Sequence, residues 1–254
     1  MKNVLSVVNQ KGGVGKTTTV VNLSTALSSL GLKILVIDFD PQGNTSTGFG
    51  VDQQMRKKTI YHALLNNEIE SCIVNTDIEN LQIVTSNVNL AVIDLELSSI
   101  KKREYILSNL LSCIYGDYDY IIIDCPPSLN LLTINALVSS AKILIPMQCE
   151  FYSLEGLSHL LKTIELIKGK LNPNLSIIGI LFTMYDKRNK LTDQVMQDVK
   201  DHLGRVVFDT VIPRNVKLAE APSYSMPAIL YDHKCSGAMA YIEFTQELLA
   251  RYEK

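Results

Sequence analysis

What the 254-residue chain lacks already narrows its function. None of its five cysteines, Cys72, Cys113, Cys125, Cys149 and Cys235, falls in a CxxC pair. An odd number of widely spaced thiols reads as free cysteine in a reducing compartment, not as a disulfide framework or a zinc site. No apolar run approaches the ~20 residues of a membrane helix, and Met1–Asn3 leads straight into an apolar stretch without a secretory leader. An excess of positive charge is missing too. The formal net charge of -2 excludes a basic coat, so any contact with nucleic acid must be local and salt-sensitive. No NKxD guanine-reading sequence follows a strand-like segment; TMYD at Thr183–Asp186 occupies one such place without matching it. What remains is a globular composition, 46% hydrophobic and 20% charged, in a chain long enough to bury one large core.

The most informative stretch is Val4–Thr18, VLSVVNQKGGVGKTT. A short apolar run at Val4–Val8 meets a glycine-rich turn, then a helix with apolar positions at Val20, Leu23, Ala26, Leu27 and Leu30. Strand, glycine turn and helix opening are the setting of a phosphate-binding loop. Gly12, Gly13, Val14 and Gly15 offer backbone N–H groups to an anion, and the N-terminus of the helix, with Thr18 in its first turn, adds partial positive charge. Lys16 then reaches the β/γ-phosphates, and Thr17 gives its hydroxyl directly to Mg²⁺. The loop departs from the ordinary G-x-x-x-x-G-K-[ST] pattern, because Gln10 stands at the first glycine position and Lys11 follows it. A second lysine beside Lys16 is a like-charge liability unless a polyphosphate lies between them.

Lys33–Asp38 and Tyr118–Asp124 both read as buried parallel strands that end on a carboxylate. Ligands gather at the carboxyl ends of such strands. Asp38 and Asp40 flank a turn enforced by Pro41, so one can orient water while the other supports a Mg²⁺ shell; Asp124 holds the metal through water. Gln42–Gly50, polar and glycine-spaced, reads as a mobile loop beside the terminal phosphate. Further strands are predicted at Leu81–Thr85, Ile143–Met147, Ser176–Phe182 and Val206–Ile212. Helices are predicted around Ile60–Leu65, Asn87–Leu95, Glu104–Ile114, Leu131–Val138, Leu154–Lys168, Leu191–Leu203 and Gly237–Lys254. This alternation predicts an α/β fold, a single-domain three-layer α/β/α sandwich over residues 1–254 around a mostly parallel twisted sheet. Lys187, Arg188, Lys190, Arg214 and Lys217 lie in two loops after strand ends, with Lys234 more distant. They suit sequence-independent attraction to phosphate; a solvated charged face is the plain alternative.

KGGVGKTT at Lys11–Thr18 resembles the deviant Walker A motif of the ParA/MinD ATPases. DFDPQGNTSTGFG at Asp38–Gly50 and IPRNVKLAEAPSYSMP at Ile212–Pro227 resemble the chromosomal ParA (Soj-like) branch, and the likeness covers nearly the whole chain. The resemblance implies a P-loop NTPase fold and a Mg-dependent ATPase whose catalytic residues are Lys11, Lys16 and Asp40. Lys11 would reach across a nucleotide-sandwich dimer to the partner's phosphates, Asp40 would activate water, and Asp38 would support the metal through water. Pro213 and Asn215 would border the adenine of ATP. The resemblance further implies a homodimer when ATP is bound and nonspecific duplex DNA binding through Lys187, Arg188, Arg214, Lys217 and Lys234. It implies a ParB-like activating partner and a cytoplasmic, nucleoid-associated protein that drives chromosome or plasmid partitioning. There are departures. HKCS at His233–Ser236 keeps only Lys234 where relatives often carry arginines, and no N-terminal extension leaves room for a helix-turn-helix. Glu243, Glu247 and Glu253 offset Arg251 and Lys254, unlike the basic membrane tail of the MinD branch, so no membrane partner is expected. A MinD-like membrane-cycling ATPase, a nucleotide-dependent scaffold with negligible catalysis, and a metabolic kinase or synthetase of the same P-loop class are the alternatives.

Overall fold

A computed structural model describes residues 3–252, apart from the side chains of Phe151, Tyr152, Lys190 and Arg205. Glu253, Lys254 and the Lys190 ammonium, which entered the sequence reading, lie outside the described residues. The strands are β1 (Val4–Val7), β2 (Ile34–Asp38), β3 (Ile73–Asn75), β4 (Leu81–Val84), β5 (Tyr120–Asp124), β6 (Lys142–Gln148) and β7 (Ser176–Thr183). They form one sheet in the order β3-β4-β2-β5-β1-β6-β7. Every neighbouring pair is parallel except β3 with β4.

The central strands are continuous apolar runs because helices cover both faces of the sheet. Alternate residues serve opposite faces. Leu35, Ile37, Ile121, Ile123, Ile143 and Ile145 pack with Leu107, Leu110, Ala136, Leu137, Leu160 and Ile164 from the helices on one side. Ile34, Val36, Ile122 and Leu144 pack on the other side with Val20, Leu23 and Leu27 of helix Lys16–Ser29 and with Tyr241, Phe244 and Leu248 of helix Ser236–Tyr252. Truncating one of these buried aliphatics to alanine costs about 2–5 kcal/mol. The strand order sets the site. It brings the carboxyl ends of β2, β5 and β1 side by side, with Asp124 in register with both Asp38 and Val7. Among the described residues no helix is long and apolar enough to cross a membrane.

Three expectations are corrected. Val206–Ile212 is not a strand. It follows β7 through isolated contacts: the Phe208 N–H donates to the Ile180 carbonyl at 3.0 Å and the Ile212 N–H to the Phe182 carbonyl at 2.8 Å. Between them the Asp209 and Thr210 N–H groups turn away to the two oxygens of Glu247, both at 2.9 Å, so no ladder forms. Gln42–Gly50 contains a short helix, Asn44–Gly48, with Thr45 and Ser46 buried. The helices expected over Asn87–Leu95 and Glu104–Ile114 begin as 3₁₀ turns and are helical only over Ile93–Glu96 and Ile106–Leu111. The antiparallel β3 was not foreseen, being too short to show a periodicity.

Candidate functional site

The glycine loop leaves β1 under restraint from neighbouring strands. The Asn9 amide donates to the Pro146 carbonyl at 2.7 Å, and its oxygen accepts from the Lys11 N–H at 3.0 Å. Gly13 and Gly15 sit at φ 72° and 85°, where a side chain would be strained. The Thr183 hydroxyl donates to the Val14 carbonyl at 2.8 Å, and the Gln148 amide donates to the Gly13 carbonyl at 2.9 Å. Carbonyls are thus held by residues at the ends of β6 and β7, and no side chain caps the first turn of helix Lys16–Ser29. That combination leaves N–H groups for an anion.

Lys16 is buried, and its ammonium donates to the Lys11 carbonyl at 3.2 Å. Burial pulls its pKa below the usual lysine range, opposed most by the charge of Asp124. A polyphosphate in this loop would supply the compensation that a buried cation lacks.

Beside it the two strand-end carboxylates accept from separate hydroxyls. Oδ2 of Asp124 accepts from the Thr17 hydroxyl at 2.7 Å and from the Thr45 hydroxyl at 2.5 Å. Oδ1 of Asp124 is buried without a hydrogen-bond partner. Burial pushes the Asp124 carboxyl up to about 6, against the pull of Thr45 and Thr17. Asp38 accepts on Oδ2 from the Ser46 N–H at 2.8 Å and the Ser46 hydroxyl at 2.6 Å. Burial, and then the charge of Asp124, push it up to about 7. Asp40 is half-buried in a turn closed by Gly43 N–H donating to its carbonyl at 3.0 Å, while its Oδ1 accepts from the Gln42 N–H at 3.0 Å. An orphaned carboxylate oxygen, a hydroxyl and a second raised carboxyl are hard oxygen donors that fit Mg²⁺. A cation there would restore the ionised carboxylates.

The Lys11 side chain ends on an acid of its own chain. Its Nζ lies 2.5 Å from Oε2 of Glu150, in the loop that leads from β6 into helix Phe151–Lys170. Beyond β7, Asn215 uses its oxygen to cap helix Val216–Glu220 and its amide to reach Ser236 at 2.9 Å. A cavity of about 280 Å³ opens beside Thr17 and Thr18, walled by Asn44, Leu218, Pro222 and Met226; Pro213 and Asn215 are not in its lining.

The basic residues are brought partly together. A bridge between Tyr185 and Pro213 sets the Arg188 loop against Arg214. Arg188 forks onto Asp186 through Nε at 2.9 Å and Nη2 at 2.7 Å, holding that carboxyl well below its usual range. Lys217 pairs with Glu220 at 3.0 Å. Lys187, Arg214 and Lys234 are exposed. The sequence reading missed Thr45, Ser46 and Glu150 as partners of the site. The Ser/Thr cluster after Asp40 was the signal for the first two, and the position of Glu150 just past β6 was the signal for the third.

Comparison with known proteins is consistent with this geometry. A family model described as an AAA domain matches residues 2–177. The chain is 47% identical over 251 residues to the chromosome partitioning protein ParA of Caulobacter vibrioides, covering 98% of this chain and 94% of that one. It is 45% identical over 251 residues to the sporulation initiation inhibitor protein Soj of Bacillus subtilis, covering 98% and 99%. Among solved structures, cobyrinic acid a,c-diamide synthase from Mycobacterium smegmatis, with bound ATP analog and magnesium, matches with a TM-score of 0.89 at 36% identity, covering 100% of this chain and 96% of that one. Similarity of this extent, on a site with two lysines in its glycine loop, makes the chain a member of the ParA/Soj/MinD family of deviant Walker A ATPases, in its partitioning branch.

Proposed function

We propose that the whole chain acts as one ATP-operated switch that dimerises on ATP, binds duplex DNA without sequence preference, and resets by hydrolysis. The observation that carries this reading is the buried, unpartnered Oδ1 of Asp124 beside the Thr17 hydroxyl, next to a glycine loop whose lysine is buried. Gly12–Thr18 and Lys16 bind the triphosphate. Thr17, with Asp38 and Asp124 acting through water, would hold Mg²⁺, whose charge would offset that of the phosphates. Asp40, on a turn open to solvent, orients the attacking water. Pro213 and Asn215 border the base, Asn215 mainly by fixing the turn it caps.

Lys11 leaves Glu150 to reach the phosphates bound by a second copy. An exposed ion pair such as Lys11–Glu150 contributes about 0–1 kcal/mol, so a triphosphate in a closed interface outbids it. Two copies present Lys187, Arg188, Arg214, Lys217 and Lys234 twice, and paired weak sites gain avidity over one duplex. The reading includes partitioning of chromosome or plasmid DNA in the cytoplasm, on the nucleoid and with a ParB-like activator; the chromosome partitioning named for the Caulobacter vibrioides relative supports its first part.

The test measures ATP-dependent DNA binding and solution mass for wild type, Lys11→Ala and Asp40→Ala. Wild type should bind DNA only as an ATP dimer, Lys11→Ala should remain monomeric, and Asp40→Ala should stay dimeric on DNA. ADP formation that responds to cobyrinic acid and not to DNA would overturn the reading.

A further inference from the structure

Arg56 is buried, 6% exposed, and the hydrogen bonds of its guanidinium go to carbonyls and one hydroxyl. Nε and Nη2 both donate to the Val51 carbonyl, at 3.0 and 2.8 Å. Nη2 also reaches the Thr47 hydroxyl at 2.8 Å, and Nη1 reaches the carbonyls of Gly43 at 3.1 Å and Ser86 at 3.3 Å. Desolvating a guanidinium is costly, so filling this space alone would favour an apolar side chain. What the fork does is gather the turn before helix Asn44–Gly48, the turn after it and the loop beyond β4.

That helix presents Thr45 to Asp124 and Ser46 to Asp38. The Ser86 N–H, next to one of the Arg56 acceptors, donates to the Ser46 hydroxyl at 3.1 Å, closing a chain from Arg56 to Asp38. At the other end Gly43 bonds back to Asp40, and a side chain at Gly43 would run into the guanidinium and the Ser86 carbonyl. The glycine loop is tied down separately, by Asn9, Gln148 and Thr183.

We propose that Arg56 is a positioning residue for hydrolysis: it clamps helix Asn44–Gly48 so that Thr45 holds Asp124 and the Asp40–Gly43 turn keeps its shape. The inference rests on the ATPase reading above. Because the anchors of the phosphate loop are independent of Arg56, its loss acts on turnover and on the metal requirement more than on nucleotide affinity. Lysine is a poor substitute, since one ammonium cannot span acceptors on three chain segments.

The experiment compares wild type with Arg56→Lys, Arg56→Met and Thr47→Val, each checked by thermal melt, for ATP affinity, turnover and the Mg²⁺ concentration giving half-maximal rate. Both Arg56 variants should keep ATP affinity within about threefold and lose about tenfold or more in turnover. Their Mg²⁺ requirement should rise about tenfold. Thr47→Val, which removes at an exposed site the hydroxyl that accepts from Nη2 and donates to the Gly43 carbonyl at 3.2 Å, should shift turnover and Mg²⁺ requirement in the same direction by about two- to threefold. Wild-type turnover and Mg²⁺ requirement in Arg56→Lys or Thr47→Val would overturn the proposal. So would affinity and turnover falling together in step with lost fold. A wild type that binds no nucleotide would defeat the ATPase reading itself, and this inference with it; an active wild type beside a fully active Arg56→Lys would defeat only the inference.

Discussion

At the ends of β2 and β5 the carboxylates Asp38 and Asp124 are buried and each accepts from its own hydroxyl donors, whereas after β7 the cations are exposed or half-buried and two of them, Arg188 and Lys217, pair with acids of the same chain. In the first region low dielectric strengthens every contact and leaves nothing to replace a lost partner. In the second, water and salt weaken each charge and several do the same work. Removing one group from the first region should therefore abolish a step, while removing one from the second should only shift an affinity.

The largest effect is expected at Lys16. Lys16→Ala should weaken ATP binding by about a hundredfold or more, read by calorimetry, because a buried charged partner is lost. Near-normal affinity would break the contrast at its strongest point. Asp40→Ala should lower phosphate release by about a hundredfold in single-turnover assays while ATP still drives dimer formation. Lys11→Ala, at a half-exposed position, should keep ATP affinity within about tenfold and lose the ATP-dependent rise in mass seen by light scattering.

Smaller shifts are expected across the cleft. Arg214→Glu should weaken duplex binding by about three- to tenfold, equally for all sequences, and reduce the salt slope by about 1. Asp186→Asn should do the reverse by about twofold, since it removes the negative charge that the Arg188 fork answers. If Asp186→Asn leaves DNA affinity unchanged, Arg188 does not face the duplex.

How far the sequence could be read follows the same division. β2 and β5 were legible because each is an apolar run that ends on a carboxylate, β1 because its apolar run leads into the glycine loop, and that loop because its conformation demands glycine where the sequence has it. Helix Asn44–Gly48 was not legible, since its residues look like a loop until their hydroxyls have buried carboxylates to bind. Lys11 was read against Lys16, yet its partner is a glutamate 139 residues away. Arg56 sits in an unremarked run with Lys57 and Lys58, and nothing local says which of the three cations goes inside. Val206–Ile212 has the pattern of a strand, but Glu247, from the C-terminal helix, takes two of its N–H groups.

That last contact has a consequence for how copies of the chain meet. On one border of the sheet, Glu247 occupies N–H groups that a visiting strand would need, and on the other β3 offers just three residues. Neither border gives a neighbour a useful length of backbone to zip onto. Union by extending the sheet is thereby discouraged, and the ATP dimer proposed above would have to form at the loop-bearing rim, beside the nucleotide.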